Sequence, residues 1–371
     1  MMLFFEILQV AFGNRNNISH IPSDEEWVEI YQFAVKQSLV GIVFSAIEIL
    51  NEQDVALKPP VELFYQWIGE VSQIEAQNQK LNEAAAQLTQ IFNHGGLRTC
   101  VLKGQGLAWL YDVKWRKNNR IYKRLGLRRQ SGDIDLWVEG SRNRTLQFLK
   151  DHSFAMGKVV LHHVDTEIIP GVESEVHFIP GWAYHPIIHH RLQCYYKAYA
   201  DEQFAHYNQE LGFAYPTNDF NAVYCLAHLY MHFLYEGVGM RQIVDYYYVL
   251  NTLSSNERER AVADITRIGM DMFAAAVMYV LSVCCDMNSK LVIFQPDEKR
   301  GKLLLDEILA TGNFGKYDRR YERHASESLI SNTVRRYRRQ LRFLKYYPVD
   351  VMFIPVWKAL HWIWRKRKGY I

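Results

Sequence analysis

The feature that most constrains the fold is a pair of aspartates, one residue apart, at the start of an otherwise apolar run. Asp133 and Asp135 stand in S-G-D-I-D-L-W-V-E, residues 131–139. If this run is a strand, alternation places both carboxylates on one face and the intervening apolar side chains on the other. Two acids held so close repel each other, and a hard cation such as Mg²⁺ would neutralise them. Taken alone, the motif also fits a solvated strand end or a turn.

The composition describes an ordinary globular chain. Its 371 residues are 49% hydrophobic and 22% charged, with a formal net charge of +3, which suits two or three domains with sizeable cores. The five cysteines show neither metal-site spacing nor a disulfide framework, so we predict a cytoplasmic protein. The apolar N-terminus contains Glu6 and lacks a basic segment, which predicts a packed helix rather than a signal peptide. The chain has no run of 18 uncharged apolar residues, so we predict no membrane span.

The first 95 residues are predicted to be largely helical. Apolar residues recur at helical spacing from Asp24 to Leu50, with Ser23 or Asp24 as a plausible cap and Glu26 nearby. A second amphipathic pattern runs from about Val61 to Asn93 and ends at H-G-G, residues 94–96. These apolar stripes are typical of packing surfaces rather than of cofactor sites.

A strand-to-helix turn follows. Residues 98–102 read as a short buried strand, Lys103 and Gly104 as a turn, and residues 105–111 as a short helix. A glycine at such a turn lets backbone amides approach a phosphate, and the helix start adds a favourable field. Lys103 would add a positive charge. A plain turn with a surface lysine is the alternative.

Between this turn and the aspartates lies a strongly basic segment. Eight of the sixteen residues in 114–129 are Lys or Arg and none is acidic. Trp115 and Tyr122 could stack on bases, as in single-strand nucleic-acid binders. A flexible solvated loop is the alternative. Arg129, four residues before Asp133, could reach over the site to a phosphate or pair with the two acids.

A third acid is expected on a later strand. After a helix at Arg142 to His152 and a strand at Lys158 to Val164, residues 171–180 read as a strand with Glu175 and His177 on one face. A catalytic pair of Mg²⁺ ions generally needs a third carboxylate from a neighbouring strand. We therefore select Glu175.

The remainder of the chain is predicted to be mainly helical. His228 and His232 lie one turn apart on one helix, and Arg241 and Asp245 lie one turn apart on the next, where they can pair. We predict that this region faces the acids as the second wall of a cleft, since pockets form where domains meet. The two histidines could instead bind zinc, although no third ligand is evident, or lie buried on the far side.

The C-terminal segment is basic and aromatic. Residues 334–345 are rich in Arg, and residues 349–368 alternate Trp with aliphatic side chains before R-K-R-K. Such a tail could lie on an anionic membrane surface. A helix packed on the body with a basic end is the alternative.

Three motifs together resemble a known family. L-K-G (102–104), R-x-S-G-D-I-D-L-W-V (129–138) and E-V-H (175–177) resemble the uncharacterised nucleotidyltransferase family of the polymerase-β-like superfamily. The superfamily pattern is a glycine turn, then D-x-D, then a third acid on a later strand. This sequence departs from that pattern in two ways. The turn is Lys103-Gly104-Gln105 in place of Gly-Ser or Gly-Gly, and the basic insertion lengthens the distance from the turn to the acids.

The resemblance implies a reaction and a set of site residues. Asp133 and Asp135 would bind one or two Mg²⁺ (or Mn²⁺) ions, and Glu175 would help to activate an acceptor hydroxyl. This hydroxyl would attack the α-phosphoryl group of an NTP, and pyrophosphate would leave. The acceptor could be a small molecule, RNA or protein. The residues expected to bind substrate are Lys103, Gly104, Arg129, Ser131, Gly132, His177, His228, Arg241 and Asp245.

The predicted fold is α+β, with a small mixed β-sheet core at residues 96–185 between helical regions at 1–95 and 186–371. The leading function is a Mg²⁺-dependent nucleotidyltransferase. The second is a non-catalytic member of the fold that binds a nucleotide, RNA or protein; the intact acid triad favours the first, since a binding module needs no three converging carboxylates. A third is a metal phosphohydrolase using His162, His163, Asp165, His228 and His232.

Overall fold

The structure is a computed structural model that describes residues 2–112, 125–321 and 329–371. The strands are β1 (Thr99–Val101), β2 (Ile134–Val138), β3 (Met156–Val159), β4 (His163–Ile169), β5 (Val172–His177), β6 (Tyr207–Asn208) and β7 (Phe213–Ala214). The α-helices are α1 (Met2–Phe12), α2 (Asp24–Gln37), α3 (Val40–Gln53), α4 (Val61–His94), α5 (Gln105–Ala108), α6 (Leu125–Arg128), α7 (Arg142–Asp151), α8 (Pro186–Ala205), α9 (Asn218–Tyr235), α10 (Met240–Thr252), α11 (Ser255–Ile268), α12 (Asp271–Cys285), α13 (Glu298–Thr311), α14 (Leu329–Leu341) and α15 (Pro348–Arg367).

The centre of the fold is a mixed five-stranded sheet in the order β1-β2-β5-β4-β3. The β2 and β5 strands are parallel, whereas β1 with β2, β5 with β4, and β4 with β3 are antiparallel. Along the chain, helices precede the first strand of this sheet and follow its last strand. The predicted class, α+β with a small mixed sheet between helical regions, is confirmed.

The two faces of the sheet differ because side chains alternate along each strand. On one face, Leu136, Val164 and Val176 are fully buried with Phe92 of α4 and Leu149 of α7. The other face carries the polar side chains of β2, β4 and β5. Helices α4 and α7 therefore cover the apolar face and leave the polar face for the site.

Strand register aligns the polar side chains in two rows. Asp135 lies opposite Glu175 in the parallel pair, and Glu175 lies opposite Asp165 in the antiparallel pair. In the next row, His177 lies between Trp137 and His163. Neighbouring side chains in such a row are close enough to interact directly.

The helices at the two ends of the chain share one large core. Phe12 of α1 stacks on Tyr247 of α10, with ring centroids 4.5 Å apart. Trp137 of β2 packs on Phe204 of α8 and Phe220 of α9. This core fixes α9 and α10 beside the polar face of the sheet.

The helix predicted from Asp24 to Leu50 is two helices. The predicted cap is confirmed, since Ser23 and Glu26 form a capping box. The chain then breaks at Ser38, where φ is 55°, and the amides of Ser38 and Leu39 bond to carbonyls of the last turn of α2. Gln37 Nε2 donates to the Ile308 carbonyl, and Gln37 Oε1 accepts from the Met240 amide. Tertiary hydrogen bonds thus override a continuous helical pattern.

The single strand predicted for Lys158 to Val164 is wrong. The β3 strand ends at Val159, β4 begins at His163, and the Val160 amide donates to the His163 carbonyl to close the turn. The turn contains apolar residues and neither Gly nor Pro, so the sequence does not mark it. The consequence is that His163 lies on a strand next to β5. None of the helices in the described ranges has the length and hydropathy needed to cross a bilayer.

Candidate functional site

Three carboxylates converge on the polar face of the sheet. One oxygen each of Asp133, Asp135 and Glu175 lies within 4.8 Å of the other two. Asp133 immediately precedes β2, Asp135 is buried within it, and Glu175 lies opposite Asp135 on the parallel neighbour β5. Their spacing allows one cation to contact all three residues.

The electrostatics of this group are those of a cation site. Repulsion from Asp135, together with burial, raises the pKa of Asp133 to about 6. Burial would also raise the pKa of Asp135, but Lys103 and His177 outweigh it and hold that pKa below its usual range. For Glu175, burial would raise the pKa, but the hydrogen bond from His177 and the charges of Lys103 and His177 together lower it. Asp135 and Glu175 are therefore ionised at neutral pH, and Asp133 is the acid that a bound cation would relieve most.

The Lys103–Gly104 turn lies next to β2, the strand that contains Asp135. The Leu102 amide donates to the Asp135 carbonyl at 2.9 Å. Gly104 has φ 53° and ψ −108°, a conformation that residues with a Cβ rarely adopt. A Cβ at Gly104 would lie 3.6 Å from the Asp133 carbonyl oxygen. The turn therefore needs glycine for its conformation and brings its backbone close to the acids.

Lys103 contacts the acids and the helical wall together. Its Nζ lies 2.8 Å from Asp135 Oδ1 and 3.0 Å from His228 Nε2. Burial and the Lys103 charge lower the pKa of His228 well below its ordinary value, so the neutral ring can accept a hydrogen bond from the ammonium. Its side chain is 21% exposed and lines the space between the sheet and α9. Its charge already compensates part of the acid group.

Two histidines extend the site along the sheet. His177 Nε2 lies 3.0 Å from Asp135 Oδ1 and 3.2 Å from Glu175 Oε2. Burial would lower the pKa of His177, but these two acids raise it to about 9. His163 Nε2 lies 3.0 Å from Asp165 Oδ1, and its Nδ1 lies 3.2 Å from Glu175 Oε2. Burial and the neighbouring His177 lower the pKa of His163 to about 4.

Arg129 does not reach over the acids. It is buried, and its Nε and Nη2 donate to the two carboxylate oxygens of Asp245 at 2.6 and 2.8 Å. Its Nη1 donates to Ser131 Oγ at 3.0 Å, so Ser131 supports this arginine. Tyr111 also donates to Asp245, at 2.5 Å. Three N–H groups of Arg129 are thus donated to Asp245 and Ser131, and the side chain lies along a small pocket beside the acids.

The predicted pair of Arg241 with Asp245 is replaced by the pair of Arg129 with Asp245. Arg241 Nη1 donates instead to the Gln130 carbonyl at 2.5 Å, and its guanidinium lies 5.5 Å from the centre of the Phe314 ring. One turn of helix brings the two side chains of α10 to the same side, but the carboxylate is already occupied by a bidentate partner. The hydrogen bond to the Gln130 carbonyl holds Arg241 near Asp133 and Asp135, with which it lines the same small pocket.

Two connected spaces separate the sheet from the helices. The larger cavity, about 620 Å³, lies between the sheet and α9, and both Asp133 and Glu175 line it together with His228 and His232. A small pocket of about 50 Å³ adjoins it. The small pocket is lined by residues of the glycine turn, the D-x-D segment and α10, among them Gly104, Gly132, Asp133, Asp135, Arg241 and Asp245.

Sequence reasoning missed part of the wall. Arg336 of α14 and Trp357, Lys358 and His361 of α15 line the far side of the larger cavity. Nothing in the local sequence marks these residues, because only the tertiary fold returns α15 to the sheet. From the sequence, His163 and Asp165 are assigned a role only in the phosphohydrolase hypothesis. Their spacing of two residues is nevertheless typical of side chains on one face of a strand.

Most of the basic segment 114–129 lies outside the described residues, including Trp115 and Tyr122. Its described end is not a solvated loop. Arg128 is buried and donates to Glu48, to Glu75 Oε1 at 2.8 Å and to Ser45 Oγ at 2.8 Å. Arg128, like Arg129, belongs to the protein interior and cannot contact a nucleic acid.

Comparison with known proteins agrees with this geometry. A family model described as "Uncharacterised nucleotidyltransferase" matches residues 23–285, which is more than half of the chain. The matched range contains the glycine turn, the three acids and helices α9 and α10. No curated protein and no solved structure matches the chain. The chain belongs to the uncharacterised nucleotidyltransferase family.

Proposed function

We propose that this protein transfers a nucleoside monophosphate from an NTP to an acceptor hydroxyl in a Mg²⁺-dependent reaction. The observation that carries the proposal is the convergence of Asp133, Asp135 and Glu175 from two adjacent parallel strands, with ligand atoms within 4.8 Å. This group belongs to a chain whose family is named for nucleotidyl transfer.

The donor set fits the proposed metal. Three carboxylates offer hard oxygen ligands, which Mg²⁺ and Mn²⁺ prefer. The raised pKa of Asp133 reflects a surplus of negative charge that Lys103 and His177 only partly balance. When bound, such metals stabilise the charge on the attacking and leaving oxygens of an in-line displacement. Asp133, Asp135 and Glu175 are the residues that would hold them.

The protein's own groups position the substrates. The triphosphate would lie against the Lys103–Gly104 turn and Gly132, beside the acids, where the Lys103 ammonium supplies a positive charge. The acceptor hydroxyl would lie on the Glu175 side, and its proton would pass to that carboxylate as the oxygen bonds to the α-phosphorus and pyrophosphate leaves. A cavity of about 620 Å³ lies in the usual size range of small-molecule sites, roughly 300–1,000 Å³.

One observation favours the second candidate, a non-catalytic nucleotide-binding member of the family. Lys103 Nζ lies 2.8 Å from Asp135 Oδ1 and partly neutralises the acids without a metal. A protein that only binds a nucleotide could retain this arrangement permanently. The two candidates differ in whether a covalent product forms.

The test is incubation of the purified full chain with each radiolabelled NTP and a lysate fractionated into small molecules, RNA and protein. We expect label to appear on one fraction, with release of pyrophosphate, and to disappear when a chelator removes divalent metal. NTP binding with neither labelled product nor pyrophosphate from any fraction would support the non-catalytic candidate instead.

Lys103→Ala is expected to weaken NTP binding about 10-fold, or roughly 1.4 kcal/mol, because a charge-assisted contact to the triphosphate is lost. The same change removes the counter-charge of Asp135, so Mg²⁺ binding without nucleotide should strengthen. Calorimetry measures both affinities. Lys302→Ala, which removes an exposed lysine paired with Glu298, is the matched control and should change neither. Unchanged NTP affinity in Lys103→Ala would assign this lysine to the stability of the acid group alone.

A further inference from the structure

A second group of metal-ligating side chains adjoins the three carboxylates and includes two nitrogen ligands. His163, Glu175 and His177 each offer one ligand atom, and these atoms lie within 4.8 Å of one another. Glu175 belongs to both groups. His177 Nε2 is also 3.0 Å from Asp135 Oδ1, so the two groups are contiguous across β2, β5 and β4.

Both imidazoles are oriented by an oxygen on the side away from Glu175. His163 Nε2 lies 3.0 Å from Asp165 Oδ1, which leaves its Nδ1 directed at Glu175. His177 Nδ1 lies 3.4 Å from the Ile179 carbonyl, which leaves its Nε2 directed at Glu175 and Asp135. Metal-binding histidines characteristically donate the far N–H to a carboxylate or a backbone carbonyl, which fixes the tautomer and leaves the near nitrogen for the metal. At His177, a bound metal would take the place of the Nε2 proton that is now directed at Asp135 and Glu175.

One of these near nitrogens has no hydrogen bond. His163 Nδ1 is buried and lies 3.2 Å from Glu175 Oε2, but it has no hydrogen-bond partner among the residues that the structure describes. A buried ring nitrogen without a partner is costly unless something else satisfies it. A cation between His163, Glu175 and His177 would do so.

We propose that His163, Glu175 and His177, with Asp165 as the carboxylate that orients His163, form a separate site for a first-row transition metal. Imidazole nitrogens favour Zn²⁺, Fe²⁺ and Co²⁺, whereas the all-oxygen group of Asp133, Asp135 and Glu175 favours Mg²⁺. The shared Glu175 would bridge the two positions. This deepens the proposed function and rests on it only for the role of the metal, since the site itself is tested by binding.

The test uses Co²⁺ as the probe because its visible absorption reports ligand type and geometry. The full chain, freed of metal by a chelator, is titrated with Co²⁺ in the presence of about 100-fold excess Mg²⁺, a competition that favours Co²⁺ binding at a site with nitrogen ligands. We expect one Co²⁺ per chain to bind and to give absorption bands typical of nitrogen ligation. His163→Gln should weaken Co²⁺ binding by at least about 10-fold, and Asp165→Asn should weaken it less, as expected for a ligand and for the group that orients it.

The matched control is His162→Gln. This neighbouring ring lies 4.3 Å from the ring of His163 but belongs to neither ligand group, so its loss should leave Co²⁺ binding unchanged. Displacement of Co²⁺ by Mg²⁺, or equal binding by His163→Gln and wild type with circular dichroism showing both folded, would overturn the proposal. Because the readout is metal binding, a failure to find nucleotidyl transfer leaves this result unaffected.

A different observation carries a second proposal, which concerns the outer face of α15. Val351 and Ile354 pack into the body, and the Trp357 ring lies 4.4 Å from that of Trp182. The opposite side of the helix is apolar and exposed, at 38% to 62% of each side chain's surface. Its exposed members are Met352, Phe353, Val356, Leu360 and Ile363. We call this set the α15 stripe.

Basic side chains flank the α15 stripe at both ends. Residues 329–371 contain eleven Lys or Arg and one acid, Asp350, which is buried and accepts a hydrogen bond from Tyr230. Lys345 is exposed before α15, and residues 366–368 are exposed at its end, whereas the nearby Arg342 is paired with Glu307 at 2.7 Å. Lys358 is the one Lys or Arg from 352 to 363, and it lies outside the stripe, where it lines the cavity. An anionic surface would contact the apolar stripe and both basic ends together.

We propose that the α15 stripe rests on an anionic lipid surface, with the helix parallel to the membrane plane. Interfacial helices combine an apolar face with Lys and Arg beside it, and each basic residue near an anionic surface adds to the attraction. Because the inner side of α15 lines the active cavity, the cavity would then open close to the membrane surface.

Sedimentation with lipid vesicles tests this. The full chain should bind vesicles of phosphatidylcholine containing phosphatidylserine at least about 10-fold more tightly than vesicles of phosphatidylcholine alone, and high salt should reduce the difference. Leu360→Asp should abolish the binding, whereas Val283→Asp, at an exposed position of α12, should not. No binding to either vesicle, equal binding by Leu360→Asp, or a dimer in solution that Leu360→Asp dissociates would overturn the proposal.

Discussion

Replacing Asp135 with asparagine is expected to lower nucleotidyl transfer about 10³-fold or more, a loss of roughly 4 kcal/mol in transition-state stabilisation. The amide keeps the shape of the side chain but removes the charge. Asp135 is the buried member of the acid group, and it contacts Lys103 at 2.8 Å and His177 at 3.0 Å. Asparagine would leave these two cations facing a neutral group, and their charge would then repel a metal ion instead of being compensated.

Two measurements distinguish this from simple misfolding. Divalent metal binding by calorimetry should fall with activity, while circular dichroism should stay unchanged. Glu173→Gln is the matched control, because Glu173 is an exposed acid on the same strand and face as Glu175 but lies outside the three-carboxylate group. Transfer by Asp135→Asn at a rate near that of the wild type would contradict the proposed mechanism.

The acid group is the part of the site that sequence reasoning predicts best. The period of two in D-I-D-L-W-V places Asp133 and Asp135 on one face, and the same period places Glu175 with His177. Sequence alone does not pair the two strands. Their parallel alignment, with Asp135 opposite Glu175, follows from the helix and hairpin that join β2 to β5.

The residues around the acids are predicted less well, because their partners are distant in sequence. Local spacing suggests that Arg241 pairs with Asp245, four residues away. The structure gives Asp245 to Arg129, 116 residues away, because both lie in one buried layer with Tyr111. Helical spacing favours ion-pair partners that are close in sequence. In the buried layer, Asp245 instead pairs with Arg129, whose guanidinium meets both carboxylate oxygens.

Contacts between residues that are distant in sequence also explain why the sequence does not predict the β3–β4 hairpin or the part of the cavity wall that α14 and α15 form. The turn between β3 and β4 has no Gly or Pro to mark it, so the sequence does not reveal that His163 and Asp165 lie on a strand beside Glu175. The inner side of α15 mixes buried apolar residues with Lys358 and His361, which line a cavity, and its outer side is apolar and exposed. A hydrophobic pattern therefore predicts the helix but does not identify its buried face.

Arg129→Ala is expected to destabilise the protein by about 3–5 kcal/mol, because it leaves the buried carboxylate of Asp245 without its bidentate partner. Burial alone would raise the pKa of Asp245, and Arg129 lowers it instead. A carboxyl group with a lowered folded-state pKa stabilises the fold above its unfolded pKa, near 3.9, and loses that contribution as pH falls through the folded value. The difference between wild type and variant should therefore be largest at neutral pH. It should shrink as pH falls, first because the unpaired, buried Asp245 of the variant is protonated above its usual pKa, and then below about pH 4 because the wild type loses the contribution of the ion pair.

Urea unfolding at several pH values measures this difference. Arg260→Ala, which breaks an exposed pair with Asp219, is the matched control and should cost less than about 1 kcal/mol. Adding Asp245→Asn to Arg129→Ala should recover part of the loss, because a neutral amide costs less to bury than an unpaired charge. If Arg129 instead held a phosphate, Arg129→Ala would leave the free energy of unfolding unchanged and weaken NTP binding. The bidentate geometry, with both partners buried, argues for the loss of stability, because a guanidinium held by two carboxylate oxygens has its directed donors occupied before any nucleotide arrives.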